Sequence, residues 1–179
     1  MLTNILIILA VLVVVFLVVV ALQPATFRVQ RSTPISAPPA EVFSQVNDFH
    51  NWEAWSPWAK LDPTAKNSFE GSSSGTGAGF TWSGNKKVGE GRMTITESRP
   101  DELVRIKLEF FKPFKATSTA EFTFKPEGGQ TAVTWSMFGE NNFLAKAFHL
   151  FMSCEKMIGG DFEKGLAGMK SATEALVRK

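Results

Sequence analysis

Residues 103–138 read LVRIKLEFFKPFKATSTAEFTFKPEGGQTAVTWSMF and contain the clearest secondary-structure pattern of the chain. Apolar and polar residues alternate along Leu103–Phe111, Lys115–Lys125 and Thr131–Phe138. Alternate side chains of a strand point to the same face of a sheet, so each segment predicts a strand with one buried face. The turn residues Glu127-Gly128-Gly129 separate the last two segments. Consecutive strands joined by short turns predict an antiparallel meander.

The residues before this meander predict further strands and two short helices. A first strand begins near Phe27, and shorter alternating segments are Asn67–Glu70, Gly79–Ser83 and Gly91–Ser98. Pro39 suits the first turn of a helix, whose apolar stripe is formed by Val42, Phe43 and Val46. A second short helix is predicted from Phe49 to Trp55.

The residues after the meander predict two helical segments. The first is Asn141–Met152, and the second, Glu155–Lys179, is at most about 37 Å long. The apolar stripe of the second helix consists of Ile158, Phe162, Leu166, Met169 and Leu176. Because such a stripe must be buried, we expect this helix to lie on the inner face of the sheet. The sequence therefore predicts an α+β domain.

A separate apolar segment lies at the N-terminus. Ile5–Leu22 contains no charged or polar side chain and would form a helix of about 27 Å, close to the thickness of a bilayer's hydrocarbon core. A cleaved signal peptide is the main alternative, but its apolar stretch is shorter and follows basic residues, which are missing here. We predict that residues 1–25 form a transmembrane anchor with a short tether, and that residues 26–179 form the folded domain.

The charges indicate an orientation and exclude one class of partner. Arg28 and Arg31 follow the apolar segment and no basic residue precedes it, so the positive-inside rule predicts a single-pass membrane protein with a cytoplasmic domain. The 19 basic and 17 acidic residues give a net charge of +2, which does not indicate nucleic-acid binding. Cys154 is the only cysteine, so the chain has no internal disulfide.

No set of side chains indicates catalysis, a metal or a cofactor. His50 and His149 are the only histidines, and neither has the neighbouring ligands that a zinc site needs. His149 and Cys154 are five residues apart, which places them on different faces of a helix. Glu97 and Arg92 remain as candidate polar groups at the rim of a cavity, where burial would shift a pKa enough for acid–base chemistry.

Several motifs, taken in order, resemble the START-like superfamily, which includes Bet v 1 and the polyketide cyclase/dehydrase proteins. They are Ile35–Phe43 (ISAPPAEVF), the Trp-rich segment Trp52–Trp58 (WEAWSPW), the glycine-containing region Gly75–Met93 and the stretch Asp161–Leu166. The resemblance covers Phe27–Lys179 and is closest to a bacterial type with an N-terminal membrane helix.

This resemblance implies a helix-grip fold, in which a curved antiparallel sheet surrounds the long C-terminal helix over an apolar cavity. Members of the superfamily often hold lipids, sterols or polyketides there. By the inward alternation of their elements, nine residues are predicted to line the cavity: Trp82, Ile95, Ile106, Leu108, Phe122, Trp135, Phe162, Leu166 and Met169. The small inward residues Ala116, Ser118 and Ala120 favour a cavity, whereas tight packing of the helix on the sheet is the alternative.

These observations lead to three hypotheses for function. The first is non-catalytic binding of a hydrophobic ligand, such as a lipid, by a membrane-anchored domain. The second is a polyketide cyclase/dehydrase-like enzyme that acts on an apolar substrate, and the third is a protein-interaction module. Trp52, Trp55 and Trp58 are interpreted as an aromatic cluster of the core, with a ligand gate or a bilayer contact as the alternative.

Overall fold

A computed structural model of the protein describes residues 1–152 and 154–178. The helices are α1 (Leu2–Ala21), α2 (Pro39–Asn47), α3 (Phe143–His149) and α4 (Cys154–Val177), and a 3-10 helix covers Phe49–Ala54. The strands are β1 (Thr26–Ile35), β2 (Lys66–Gly71), β3 (Ala78–Ser83), β4 (Glu90–Arg99), β5 (Leu103–Lys112), β6 (Ala116–Glu127) and β7 (Gln130–Glu140). The predicted order of helices and strands is confirmed.

The seven strands form one antiparallel sheet in the order β1-β7-β6-β5-β4-β3-β2. Strands β2 to β7 each pair with their neighbours in sequence, as the meander pattern predicts. β1 pairs with β7, with Thr26 opposite Glu140 and Ile35 opposite Thr131. The predicted helix-grip fold is therefore confirmed: it is an α+β fold in which a long C-terminal helix lies on the inner face of an antiparallel sheet.

Helix α4 runs beside β1 in the same direction along the sheet. Arg31 of β1 contacts Glu163 at 2.6 Å, Lys170 donates a hydrogen bond to the Pro34 carbonyl at 2.7 Å, and Glu174 accepts one from the Ser36 amide at 2.9 Å. These contacts attach the outer side of the helix to the edge strand. The apolar stripe is thereby turned towards the inner face, where Phe162, Leu166 and Met169 are buried. Leu176, the last residue of the predicted stripe, is instead exposed, because it lies near the end of the helix.

An irregularity in β4 changes the position of one candidate polar residue. The register between β4 and β5 shifts between Ile95 and Glu97, which is a β-bulge. The bulge turns Glu97 to the outer face, where its carboxylate binds the guanidinium of Arg105. Arg92 also lies on the outer face and pairs with Glu70 at 3.1 Å. The expectation that Glu97 and Arg92 lie at the rim of a cavity is therefore wrong. The bulge turns the Glu97 side chain outward, and an ion pair with Glu70 holds Arg92 on the outer face.

Helix α1 lies outside the core of the domain. All of its residues except Val20 are exposed, and its mean hydropathy is 3.4 over the most apolar window. By length and composition it can cross a membrane, a test that a signal sequence also passes. Its C-terminal end contacts α3, where the Lys146 ammonium donates a hydrogen bond to the Ala21 carbonyl at 3.4 Å.

Candidate ligand-binding site

The centre of the sheet is joined to α4 by three stacked aromatic rings. Trp135 of β7 stacks on Phe162 of α4 with ring centroids 4.0 Å apart, and on Phe122 of β6 with centroids 4.8 Å apart. All three side chains are buried. Since ring stacking leaves no room between the partners, sheet and helix are in direct contact at this level.

Two glycines of α4 allow this close contact. A Cβ atom at Gly165 would lie 2.7 Å from Cζ3 of Trp135, and one at Gly168 would lie 2.8 Å from the carbonyl oxygen of Trp55. A side chain at Gly165 would push the helix away from the sheet, and one at Gly168 would push it away from the backbone that follows the 3-10 helix. These two glycines therefore allow α4 to pack tightly at the centre of the domain. This agrees with the alternative in which the helix packs on the sheet without a cavity between them.

Trp52 and Trp55 complete this part of the core. Both side chains are buried, and their indole N–H groups donate hydrogen bonds to the carbonyls of Val46 at 3.1 Å and Gln45 at 3.0 Å. Each ring meets Trp135 edge-on, with centroids 6.4 and 5.8 Å apart. Trp58 is half-buried and also meets Trp135 edge-on, with centroids 5.8 Å apart. The interpretation of the three tryptophans as an aromatic cluster of the core agrees with these contacts.

The inner face of the sheet extends beyond the start of α4. Arg31 lies opposite Gly159, where its Nη2 would be 2.5 Å from an added Cβ atom. Towards its N-terminus, β1 extends four residues beyond this level, to Phe27, a distance of about 13 Å. Helix α4 extends five residues in the same direction, to Cys154, but this is only about 8 Å because a helix rises less per residue than a strand. Phe27 instead meets His149 of α3, with ring centroids 6.3 Å apart. This end of the inner face, next to α1, is called the open end below.

The side chains of the open end are small in the middle and apolar at the sides. Leu108 lies opposite Ser118, and Gly139 lies opposite Phe27. A Cβ atom at Gly139 would be 3.3 Å from the Ser118 hydroxyl, so these two small residues are neighbours. The apolar residues that pack on the core here while keeping part of their surface exposed are Phe27, Phe80, Trp82, Leu108, Met137 and Ile158. The open end thus combines a row of small residues with large, half-buried apolar ones.

The nine predicted lining residues all lie on the inner face or on the side of α4 that meets it, but in two environments. Trp82 and Leu108 are half-buried at the open end. Seven are buried in the contiguous core: Ile95, Ile106, Phe122, Trp135, Phe162, Leu166 and Met169. Ile95 and Ile106, which lie opposite each other, form the row between the open end and the aromatic stack. That all nine line one cavity stays a prediction.

Two surface depressions lie elsewhere and contain none of the nine. One, of about 340 Å³, lies between Pro38 and the turn at Gly128. The other, of about 480 Å³, lies between His50 and Leu176. Both are at the end of the domain opposite α1, so they are separate from the open end.

Two polar groups lie close to the apolar surface. The Sγ atom of Cys154 is 3.0 Å from Nε2 of His149, so the expectation that these residues lie on different faces of one helix is wrong: α3 ends at His149 and α4 begins at Cys154. Burial raises the pKa of the Cys154 thiol. The group therefore remains a neutral thiol near pH 7 rather than a reactive thiolate. The buried indole N–H of Trp135 has no hydrogen-bond partner among the described residues, and such a group costs about 1–3 kcal/mol unless an acceptor or water reaches it.

Comparisons with known proteins agree with this geometry. The model of the family "Polyketide cyclase / dehydrase and lipid transport" matches residues 26–174. No curated protein matches the chain. Among solved structures, protein CV1439 from Chromobacterium violaceum has 15% identity and a TM-score of 0.59, and the match covers 84% of this chain and 98% of that one.

Two further structures show the range of proteins that share the fold. Ara h 8.0201 has 12% identity and a TM-score of 0.55, with 85% of this chain and 97% of that one covered. The di-domain ARO/CYC StfQ from the steffimycin biosynthetic pathway has 10% identity and a TM-score of 0.61, with 87% of this chain and 53% of that one covered. At these identities the similarity establishes the fold alone.

Proposed function

The chain belongs to the polyketide cyclase/dehydrase and lipid transport family, and from that premise we propose that it is a membrane-anchored protein that binds a hydrophobic ligand without catalysis. The ligand, a lipid or a similar apolar molecule, binds at the open end of the sheet. Ligand sites in proteins are concave and mostly apolar, with few polar groups, and the open end has this composition.

One observation carries this proposal. Six large apolar side chains at the open end stay partly exposed around Ser118 and Gly139, while the same face of the sheet is sealed by aromatic stacking further in. Half-buried apolar residues at one end of an otherwise tightly packed interface leave apolar surface that a ligand can cover. Trp82 and Leu108 line this surface directly, and Ile95 and Ile106 form its inner limit.

The position of the open end supports a ligand that comes from a membrane. Residues 22–25 connect α1 to β1 and span about 14 Å even when extended. With α1 in a bilayer, the open end lies beside the lipid, so an apolar ligand can enter it without crossing bulk water. The positive-inside rule then places the domain in the cytoplasm.

The alternative of a cyclase-type enzyme needs an ionisable group that faces the ligand. Glu97 and Arg92 are engaged in ion pairs on the outer face, and Cys154 has a raised pKa. The two candidate polar residues therefore face away from the ligand surface, which favours binding over catalysis. The ionisable side chain that a cyclase-type enzyme would have to use at the open end is His149, beside the Cys154 thiol.

A matched pair of variants tests ligand binding. Residues 26–179 of the wild-type chain, purified from cells, are expected to carry an apolar molecule that native mass spectrometry detects. Leu108→Trp adds bulk at the open end and should abolish this added mass. Leu176→Trp makes the same change at an exposed site at the opposite end and should leave it unchanged. A wild-type domain without any bound molecule, or a Leu108→Trp domain that retains it, would refute the proposal.

A second experiment tests the contribution of the anchor. Insertion of about 20 Gly/Ser residues after Pro24 adds an average distance of about 25 Å. We expect the extended protein to fold normally and to take up ligand from vesicles more slowly than the wild type. Equal rates of uptake would show that the anchor serves localisation only.

A further inference from the structure

The exposed apolar side chains of the domain are concentrated at one end. Beyond Leu22, twelve large apolar side chains are exposed among the described residues. Eight of them lie in or next to α3, in the first turn of α4, or at the end of β5 and in the turn after it. The eight are Phe111, Phe114, Phe143, Leu144, Phe148, Phe151, Met152 and Met157. Phe114 is 70% exposed and Phe151 is 83% exposed. Such a concentration exceeds the scattered apolar residues of an ordinary protein surface and indicates an interaction site.

Helix α3 lies against the end of α1. Asn141, just before α3, donates hydrogen bonds to the carbonyls of Ala25 at 2.7 Å and Pro24 at 3.1 Å. Lys146 within α3 reaches the Ala21 carbonyl. These contacts fix α3 at the level where α1 ends, so its exposed apolar residues lie close to the end of α1.

The turn between β5 and β6 lies at the same end of the sheet. Phe110 pairs with Ala116, and β6 is separated from β1 only by β7, which is a distance of about 10 Å. A Cβ atom at Gly89, in the neighbouring turn between β3 and β4, would lie 2.3 Å from the Lys112 carbonyl oxygen. The two turns and α3 therefore form one continuous rim around the open end.

Basic residues border the apolar ones on this rim. Lys86 and Lys87 lie in the turn between β3 and β4, Lys112 and Lys115 flank Phe114, and Lys146 lies in α3. The acidic residues there are fewer: Glu90 is paired with Lys112 at 2.8 Å, Glu155 with Arg31 at 2.6 Å, and Glu140 is exposed at the end of β7. Exposed Phe and Leu bordered by Lys is the composition of segments that lie in the headgroup region of anionic membranes.

We propose that α3, with Phe151, and the turn that carries Phe114 insert into the bilayer that holds α1. The rim is then a second membrane contact, which turns the open end towards the lipid. This proposal rests on the membrane location of α1 in the proposed function. The occupant is a bilayer rather than a protein because the rim continues directly from α1 and is separated from its end by only residues 22–25.

The test uses the full-length chain reconstituted in vesicles. In a Cys154→Ser background, single cysteines are introduced by Phe114→Cys, Phe151→Cys and, as a matched apolar control at the opposite end, Leu176→Cys. Each is labelled with an environment-sensitive dye. We expect blue-shifted emission and quenching by spin-labelled lipids at positions 114 and 151, and neither effect at position 176. A water-exposed dye at either 114 or 151 would overturn the proposal.

Two controls separate this proposal from its premise. Alkaline carbonate extraction shows whether α1 is inserted; a chain that is extracted contradicts the membrane anchor itself, whereas a retained chain with water-exposed dyes contradicts only the second contact. A blue-shifted dye that lipid quenchers do not reach would show that a protein surface covers the rim, which would also overturn the proposal. Because the lysines of the rim are attracted to anionic headgroups, we expect stronger quenching in vesicles with phosphatidylglycerol than in pure phosphatidylcholine. Equal quenching in the two would refute a contribution of the lysines to membrane binding.

Discussion

Substitution of Gly165 by alanine tests whether α4 is packed on the sheet or separated from it by a cavity. The new Cβ would lie 2.7 Å from Trp135 and 3.1 Å from Pro57. Trp135 cannot move away, because it is held between Phe122 and Phe162. Such overpacking costs about 1–3 kcal/mol. The gain in helix propensity of about 1 kcal/mol offsets part of it, so we expect a net destabilisation of up to about 2 kcal/mol.

Gly160→Ala is the matched control in the same helix. No atom lies within 4 Å of its added Cβ, so only the propensity gain of about 1 kcal/mol remains. The two variants should therefore differ by about 1–3 kcal/mol in unfolding free energy, which is about 2–12 °C in melting temperature for a domain of this size. Thermal unfolding followed by tryptophan fluorescence measures the difference. Equal melting temperatures would refute direct packing and would favour a cavity at the level of Trp135.

Two further predictions follow from the contacts described above. Phe122→Trp should lower the melting temperature, because Phe122 is fully buried and overpacking costs about 1–3 kcal/mol. Leu108→Trp, at the open end, should leave the melting temperature nearly unchanged. A larger loss of stability in Leu108→Trp than in Phe122→Trp would place the free space in the core. The second concerns Glu174, whose pKa is lowered to about 2 from an ordinary value of 4.5 by hydrogen bonds from the Lys170 ammonium and the Ser36 amide. The stability that this carboxylate contributes is present above pH 4.5 and is lost as the pH falls towards about 2. In urea unfolding, Glu174→Gln should be less stable than the wild type at neutral pH and approach it near pH 2, and a constant difference across that range would contradict this role.

Much of the fold could be predicted from the sequence because its pattern is local. Alternation along Leu103–Phe111 and Thr131–Phe138 reflects a sheet with one buried face, and a strand's period of two residues is visible in any such segment. The bulge between Ile95 and Glu97 was not predictable in this way, because it depends on pairing with β5. A single extra residue reverses the direction of every side chain after it, and this is why Glu97 was expected at the rim of a cavity although it lies on the outer face.

The site was harder to predict than the fold, because alternation identifies the inner face but not the space above it. Trp82 and Trp135 share the inward orientation, yet Trp135 is covered by Phe162 whereas Trp82 lies beyond the start of α4. The difference depends on where the helix begins relative to β1, a tertiary relation that the ion pairs of Arg31 reveal. For the rim, a sequence signal existed in the abundance of phenylalanine, since a chain with 16 such residues has much apolar surface to cover.

The pairing of β1 with β7 has a consequence for the folding of the chain during synthesis. The paired residues are separated by 96 positions between Ile35 and Thr131 and by 114 between Thr26 and Glu140. At a synthesis rate of about 5–20 residues per second, β1 waits about 5–20 s for its partner. The hairpins from β2 to β7 close over short distances and can form meanwhile, since local contacts fold fastest. The first strand to leave the ribosome is thus the last to be paired. On the proposed anchoring of α1, β1 then waits beside the lipid surface as an unprotected edge.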